Sequence, residues 1–155
     1  MHRSGKFVAL AAMTAALVLP LNSVAVAATT VTYNITGVET ATTTFPAQSS
    51  FAGRAVSTPK TEPGVWNAVV QHDLGGIVGG TFALTSKIHS LNDSIVSGTF
   101  GPAVGTCAKS KLAIHAVLGG GGSFDLTLTR YGSMRTGSCV VHRAIVRGTA
   151  SLTFP

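Results

Sequence analysis

Residues 107–154 read CAKSKLAIHAVLGGGGSFDLTLTRYGSMRTGSCVVHRAIVRGTASLTF and contain both cysteines of the chain. Each cysteine opens a run in which apolar and polar residues alternate, and a glycine-rich segment separates the two runs. Alternation with a period of two is typical of half-buried β-strands, because successive side chains point to opposite faces. This part of the sequence therefore predicts antiparallel strands joined by a hairpin.

The same alternation sorts the charged and the aliphatic side chains onto opposite faces. Counting by twos from each cysteine gives one face of each strand: Lys109, Lys111, Ala113 and His115 after Cys107, and Val141, Arg143, Ile145 and Arg147 after Cys139. The opposite face consists of Leu112, Ile114, Ala116 and Leu118 in the first strand, and of Val140, Ala144 and Val146 in the second. We therefore expect an apolar inner face and a basic outer face, which Arg130 and Arg135 near the intervening hairpin would extend.

This basic face is the main candidate binding site. Lys109, Lys111, Arg143 and Arg147 are the predicted ligand-binding residues, and their charge fits an anionic cell-envelope polymer. The alternative is an ordinary solvated face that keeps the protein soluble. Aromatic residues are almost absent between the cations, which disfavours specific nucleic-acid binding.

The N-terminal residues 1–27 predict a signal peptide. Arg3 and Lys6 precede an uncharged apolar run, and Ala25-Val26-Ala27 supplies the small residues typical of a cleavage site. A retained transmembrane anchor is the weaker interpretation, because the apolar run is short and contains Pro20. We expect a secreted chain with no transmembrane segment after cleavage, and loss of the two basic residues would lower its net charge from +6 to +4.

Secretion through an oxidising compartment predicts a disulfide between Cys107 and Cys139. The alternatives are two free thiols or a pair of metal ligands. The cysteines have no CxxC partner, and no two histidines have the HxH, HxxxH or HExxH spacing, so the sequence predicts no metal site and no cofactor.

The remaining sequence predicts one all-β domain, residues 28–155. Strand-like alternation covers 29–36 and 65–74, and further strands follow at 77–86 and 95–100. Residues 39–63 are rich in Thr, Ser and Ala and contain Pro46, Pro59 and Pro63, which predicts a long, mobile loop with one edge strand at 51–56.

A repeated pattern, Gly-Ser/Thr-x-x-Leu-Thr, begins at Gly80, Gly122 and Gly148. Its unequal spacing excludes a repeat of fixed period and favours a meander of hairpins in which glycine allows bends. About eight strands of similar length predict a small, closed or nearly closed antiparallel barrel, with a two-sheet β-sandwich as the alternative. These glycine-led strands resemble small barrels of the allene oxide cyclase and dirigent type, and the export signal and composition resemble small secreted proteins of high-GC Gram-positive bacteria. Neither resemblance assigns a role to a residue.

Two histidines are candidate catalytic residues. Strand alternation places His72 with Val70 and Leu74, and His142 with Val140 and Ala144, on the apolar faces of their strands. Inside a barrel, such a pair would orient a ligand or transfer a proton near neutral pH. The alternative is two unrelated core histidines satisfied by hydrogen bonds.

Three functions are consistent with these patterns. The favoured one is a secreted, non-catalytic barrel that binds an anionic or small apolar ligand at the cell envelope or in the medium. The second is a small isomerase or cyclase that uses the interior histidines. The third is an extracellular protease inhibitor or protein-interaction module that presents residues 39–63.

Overall fold

The computed structural model describes residues 27–44, 46–58 and 62–155, and every regular element within these ranges is a β-strand. The strands are β1 (Thr29–Thr44), β2 (Ala47–Thr58), β3 (Pro63–Asp73), β4 (Gly76–Ser86), β5 (Ser90–Phe100), β6 (Val104–Gly105), β7 (Ser110–Leu118), β8 (Gly122–Arg135) and β9 (Ser138–Phe154). The predicted signal peptide lies outside the described residues apart from Ala27. None of the described segments forms a helix capable of crossing a membrane.

Eight of the strands form a hydrogen-bonded ring. Each strand from β1 to β4 pairs antiparallel with the next, β5 pairs with β7, and β7, β8 and β9 continue the order. Pairing of β9 with β1, from Thr29↔Phe154 to Val38↔Ile145, completes the ring. The short strand β6 pairs only with the start of β7. The predicted all-β antiparallel meander is confirmed, and its pairing is continuous around the ring.

The antiparallel order gives the ring two ends. The Glu62 end holds the starts of β1, β3, β5 and β8, together with the β4–β5 turn. The disulfide end holds the opposite termini of the same strands and the bond between Cys107 and Cys139. This bond, which confirms the predicted pairing, joins the β6–β7 turn to the β8–β9 hairpin.

Aromatic side chains fill the middle of the ring. Trp66 stacks on Phe82 with ring centroids 6.1 Å apart, and Phe82 stacks on Phe124 at 5.3 Å. Tyr33 and Phe51 are also buried. Burying side chains of this size supplies much of the hydrophobic stabilisation of a small domain. The interior is therefore a packed core of the kind that small barrels build from alternating strand positions.

A pair of glycines lets β1 and β2 approach closely beside Trp66. Gly37 and Gly53 lie opposite each other in the β1–β2 pair, and a Cβ at Gly53 would collide with the carbonyl oxygen of Thr36. The close approach leaves that oxygen within 3.1 Å of the indole Nε1 of Trp66, which donates to it. Glycine thus permits the sharp bend that a small closed sheet needs.

The prediction of a long loop over residues 39–63 is wrong. The described residues of this range lie mostly in β1 and β2, which pair from Thr32↔Thr58 to Thr44↔Ala47. Pro46 occupies the turn between the strands and Pro63 begins β3, so neither interrupts a strand. The threonines between them are good strand formers because their β-branched side chains fit a pleated surface.

Candidate anion-binding face

The four predicted ligand-binding residues lie on the outer surface of the ring. Lys109 lies in the turn before β7, Lys111 lies in β7, and Arg143 and Arg147 lie in β9; all four are exposed. The outward position of these side chains agrees with the alternation of the sequence, because Ile114 in β7 and Val146 in β9, which have the opposite parity, are buried. The structure therefore brings these four cations to one side of the β7–β8–β9 sheet.

The strand register aligns these side chains in rows that cross the sheet. One outward row runs from Arg54 in β2 through Thr36 in β1 to Arg147 in β9, and continues to Thr127 in β8. The next row contains Val38, Ile145, Thr129 and Lys111. A third row pairs Arg143 with Tyr131, over whose ring the Lys109 Nζ lies 5.9 Å from the centroid.

Five cations therefore surround an uncharged centre. We call this surface the basic face, and it consists of Arg54, Lys109, Lys111, Arg143 and Arg147. Its centre is formed by the methyl and hydroxyl groups of threonines and by Val38 and Ile145. Side chains of this kind contribute hydrogen bonds and apolar contact without competing for an anion.

Two open depressions lie on the basic face and share Ile145 and Arg147. The first, about 460 Å³, is lined by Arg54, Arg143 and Arg147 above the bent backbone at Gly37 and Gly53. The second, about 300 Å³, is lined by Lys109, Lys111 and Tyr131 on the other side of β9. Because they share two residues, the depressions lie side by side across β2, β1, β9, β8 and β7.

Carboxylates near the basic face are already paired. Asp125 lies in the next outward row and its Oδ1 is 2.7 Å from Nδ1 of His115, which stands directly opposite on β7. Glu39 accepts hydrogen bonds from Arg130 at Nε (3.1 Å) and Nη2 (2.6 Å). An anionic ligand on the basic face would therefore meet cations whose charges are not neutralised by these two acids.

Two basic residues differ from the sequence-based expectation. Arg130 does not extend the basic face, because it pairs with Ala144 on the inner side of the strands and binds Glu39. Arg135 is exposed near the tip of the β8–β9 hairpin, beyond the rows. Arg54 belongs to the face but was not predicted, since it lies in the segment interpreted as a loop, and only the register of β2 reveals its position.

The two candidate catalytic histidines do not form a shared interior site. His142 is exposed, and its Nε2 lies 2.6 Å from the Oγ of Ser133 in the β8–β9 hairpin. His72 is half-buried at the disulfide end, where its ring packs edge-on against Phe100 with centroids 5.2 Å apart. The interior position predicted for His142 is wrong because the buried part of β9 begins at Ala144, and His142 precedes it, nearer the β8–β9 hairpin.

A buried acid that the sequence did not single out lies at the Glu62 end. The Glu62 carboxylate accepts hydrogen bonds from the Tyr33 hydroxyl (3.0 Å), from His89 Nδ1 (2.7 Å) and from the backbone N–H groups of Ile88 (3.0 Å) and His89 (2.9 Å). The His89 ring stacks on Phe154 at 4.4 Å. We call Tyr33, Glu62 and His89 the Glu62 cluster; it joins β1 and the β2–β3 connection to the β4–β5 turn.

Hydrogen bonding and burial shift two pKa values in this cluster. Burial acts to raise the pKa of Glu62, but the hydrogen bonds from His89, Ile88 and Tyr33 together outweigh it, so the pKa lies below its ordinary value. Burial, reinforced by the hydrogen bond to Glu62, raises the pKa of Tyr33. The cluster is thus built around an ionised carboxylate and a neutral phenol. The partners of Glu62 lie 29 and 27 residues away in sequence, so no local motif could have identified them.

Comparison with known proteins gives no match. No protein-family model, curated protein or solved structure is significantly similar to this chain.

Proposed function

We propose that the chain is a secreted, non-catalytic domain that binds an anionic polymer of the cell envelope or the surrounding medium on its basic face. The observation that carries this proposal is the register, which places Arg54, Arg147 and Lys111 in adjacent outward rows around an uncharged centre. Several cations that act on one polyanion give a cooperative and salt-dependent attraction.

The packed interior supports this proposal over a small apolar ligand held inside the ring. The centre of the ring is occupied by the stacked side chains of Trp66, Phe82 and Phe124. A polymer bound outside the ring needs no cavity, because it would lie across the two adjacent open depressions on β2, β1, β9, β8 and β7. Export, predicted by residues 1–27, would place this surface where wall polymers and acidic polysaccharides occur.

Two matched double variants test the proposal. Lys111→Ser with Arg147→Ser removes two charges from the basic face, whereas Lys87→Ser with Arg135→Ser removes two exposed charges elsewhere. Retention on insoluble anionic wall polymer is measured at low and at high ionic strength. We expect the first variant to bind about thirtyfold more weakly at low ionic strength, at roughly 1 kcal/mol for each of the two cations lost.

The second variant should bind almost as well as the wild type, and added salt should release both. Equal losses in the two variants would show that only net charge matters and would reject a defined face. Binding that is insensitive to salt would reject the electrostatic proposal altogether.

A further inference from the structure

A gap opens between β1 and β9 at the disulfide end. Among the described residues, the pairing of the two strands ends at Val38↔Ile145. Strand β1 nevertheless continues to Thr44, paired with β2, and β9 begins at Ser138, paired with β8. Each strand therefore has one edge without a neighbouring strand over this stretch.

A β-bulge lies beside the gap on each side. The register of β1 against β2 shifts between Glu39 and Ala41, and that of β8 against β9 shifts between Tyr131 and Gly132. Bulges bend a strand and increase its twist, which explains why the two strands separate here. The resulting depression, about 330 Å³, is lined on one side by residues 39–42 and on the other by residues 141–144.

The hairpin geometry identifies the backbone groups that face the gap. The carbonyl oxygen of Ser50 in β2 points toward β1, where it accepts a hydrogen bond from the Thr40 hydroxyl (3.2 Å), and Ser50 lies opposite Ala41. Hydrogen-bonding groups alternate between the two edges of an antiparallel strand. The N–H and C=O of Ala41 and Thr43 therefore face β2, and those of Thr42 and Thr44 face the open edge.

These groups match the backbone of another extended chain. Donors and acceptors alternate along a strand edge with the two-residue repeat of the backbone, and an added strand satisfies both kinds. A polysaccharide or a phosphate polymer offers acceptors and hydroxyl groups but not this spacing of amide donors and carbonyl acceptors. The edge of β1 also carries no lysine or proline from Ala41 to Thr44, the residues that proteins use to block such pairing.

The charge beside the gap favours an acidic partner. Arg143 and His142 line the gap and are exposed. The Glu39 carboxylate, with 7 % of its side chain exposed, is engaged by both hydrogen bonds from Arg130 beneath the opening. Acidic side chains on an added strand would therefore lie near cations and near a carboxylate already neutralised by its partner.

We propose that the open edge of β1 at Thr42 and Thr44 binds an extended acidic peptide by strand addition. This site is distinct from the centre of the basic face and uses backbone hydrogen bonds instead of side-chain cations as its main contacts. Arg143, which lies between the two surfaces, contributes charge to both.

The test uses the full chain and a capped eight-residue peptide of alternating valine and glutamate, with binding followed by fluorescence anisotropy. Thr42→Pro removes the N–H at the open edge and keeps the pairs of Ala41 and Thr43 with β2. Thr42→Ala is the matched control, which loses the hydroxyl and its hydrogen bond with the Ser49 Oγ (3.3 Å) but keeps the N–H. We expect the wild type and Thr42→Ala to bind alike. Thr42→Pro should bind about threefold to tenfold more weakly, as for one lost hydrogen bond.

Two altered peptides keep the test independent of the variant's folding. A peptide methylated at every backbone nitrogen retains its charge but loses its donors, and a valine–lysine peptide retains the donors but reverses the charge; both should bind more weakly. The variant Lys111→Ser with Arg147→Ser should lose the wall polymer and keep the peptide, which separates this site from the basic face.

Three results would overturn the proposal. The first is that the valine–glutamate peptide does not bind the wild type. The second is that Thr42→Pro, the methylated peptide or the lysine peptide binds as well as its control. The third is that analytical ultracentrifugation shows a dimer of the wild type and a monomer of Thr42→Pro, which would assign the edge to a second copy of the chain.

Discussion

At the Glu62 end of the ring, four hydrogen bonds converge on one buried carboxylate, whereas at the disulfide end the pairing of β1 with β9 stops and leaves two strand edges open. The Glu62 cluster closes its end from inside, with Phe154 packed against His89. The other end is held by the disulfide and, on the inner side of the strands, by the ion pair of Glu39 with Arg130.

The difference shows that one sheet can have one end closed by buried hydrogen bonds and another end at which the backbone groups of a strand edge are unpaired with a neighbouring strand. A buried, ionised acid stabilises a structure only when all its partners are in place, so the Glu62 end has little freedom to open. A disulfide acts chiefly by limiting the unfolded chain, and it tolerates open strand edges beside it. Selective damage to each end should therefore have different consequences.

The largest effect is expected from removal of the disulfide. Cys107→Ser with Cys139→Ser should lower the free energy of unfolding by about 3–4 kcal/mol, because the bond closes a loop of this length in the unfolded chain. Urea unfolding measures the loss, and reduced wild type is the control. Amide exchange should accelerate most in residues 104–111 and 132–142. Equal acceleration around Glu62 would show that the two ends are not independent.

An intermediate, pH-dependent effect is expected at the Glu62 end. Because the pKa of Glu62 is lowered in the folded state, the stabilisation that its charge provides is complete above the ordinary glutamate pKa. It is lost as the pH falls through the lowered value. In Glu62→Gln this contribution is missing, so the difference in urea midpoint from the wild type should be large near neutral pH and shrink in acid. A difference that stays constant with pH would contradict the role of the charge.

The smallest effect is expected from the ion pair beneath the gap. Glu39→Gln should lower the free energy of unfolding by about 1 kcal/mol, since Arg130 is one-third exposed and solvent weakens the pair. A double-mutant cycle with Arg130→Gln isolates the interaction from the two single losses. Amide exchange should increase at residues 39–44 and leave residues 88–89 unchanged. Faster exchange at residues 88–89 would contradict the assignment of this pair to one end.

Much of the outer and inner faces could be predicted from alternation alone. In residues 107–154 the parity of Lys111, Ile114, Arg147 and Val146 is as expected, because a period of two needs no knowledge of strand partners. The same parity misplaced His142 and Val140 in the interior. Alternation assigns a face to each side chain, but only the pairing shows how far along the strand the core extends.

The errors in the first half have a related cause. Proline was interpreted as a breaker throughout residues 39–63, yet Pro46 and Pro63 lie at positions where a strand turns or begins. Leu74, expected on the apolar face, is fully exposed in the β3–β4 turn. Glu62 belongs to no local motif in the sequence. Its partners Tyr33 and His89 are distant in sequence, and only the strand pairing of the ring brings them into contact with it.

Trp66 gives the molecule an optical probe of its own. It is the only tryptophan of the chain, is 2 % exposed, stacks on Phe82 and lies opposite Gly53 in the register of β2 and β3. Its emission should therefore be blue-shifted in the folded protein and should move to longer wavelength only when the centre of the ring is hydrated. Peptide binding at the open edge or reduction of the disulfide would leave the emission wavelength of Trp66 unchanged as long as the ring remains folded.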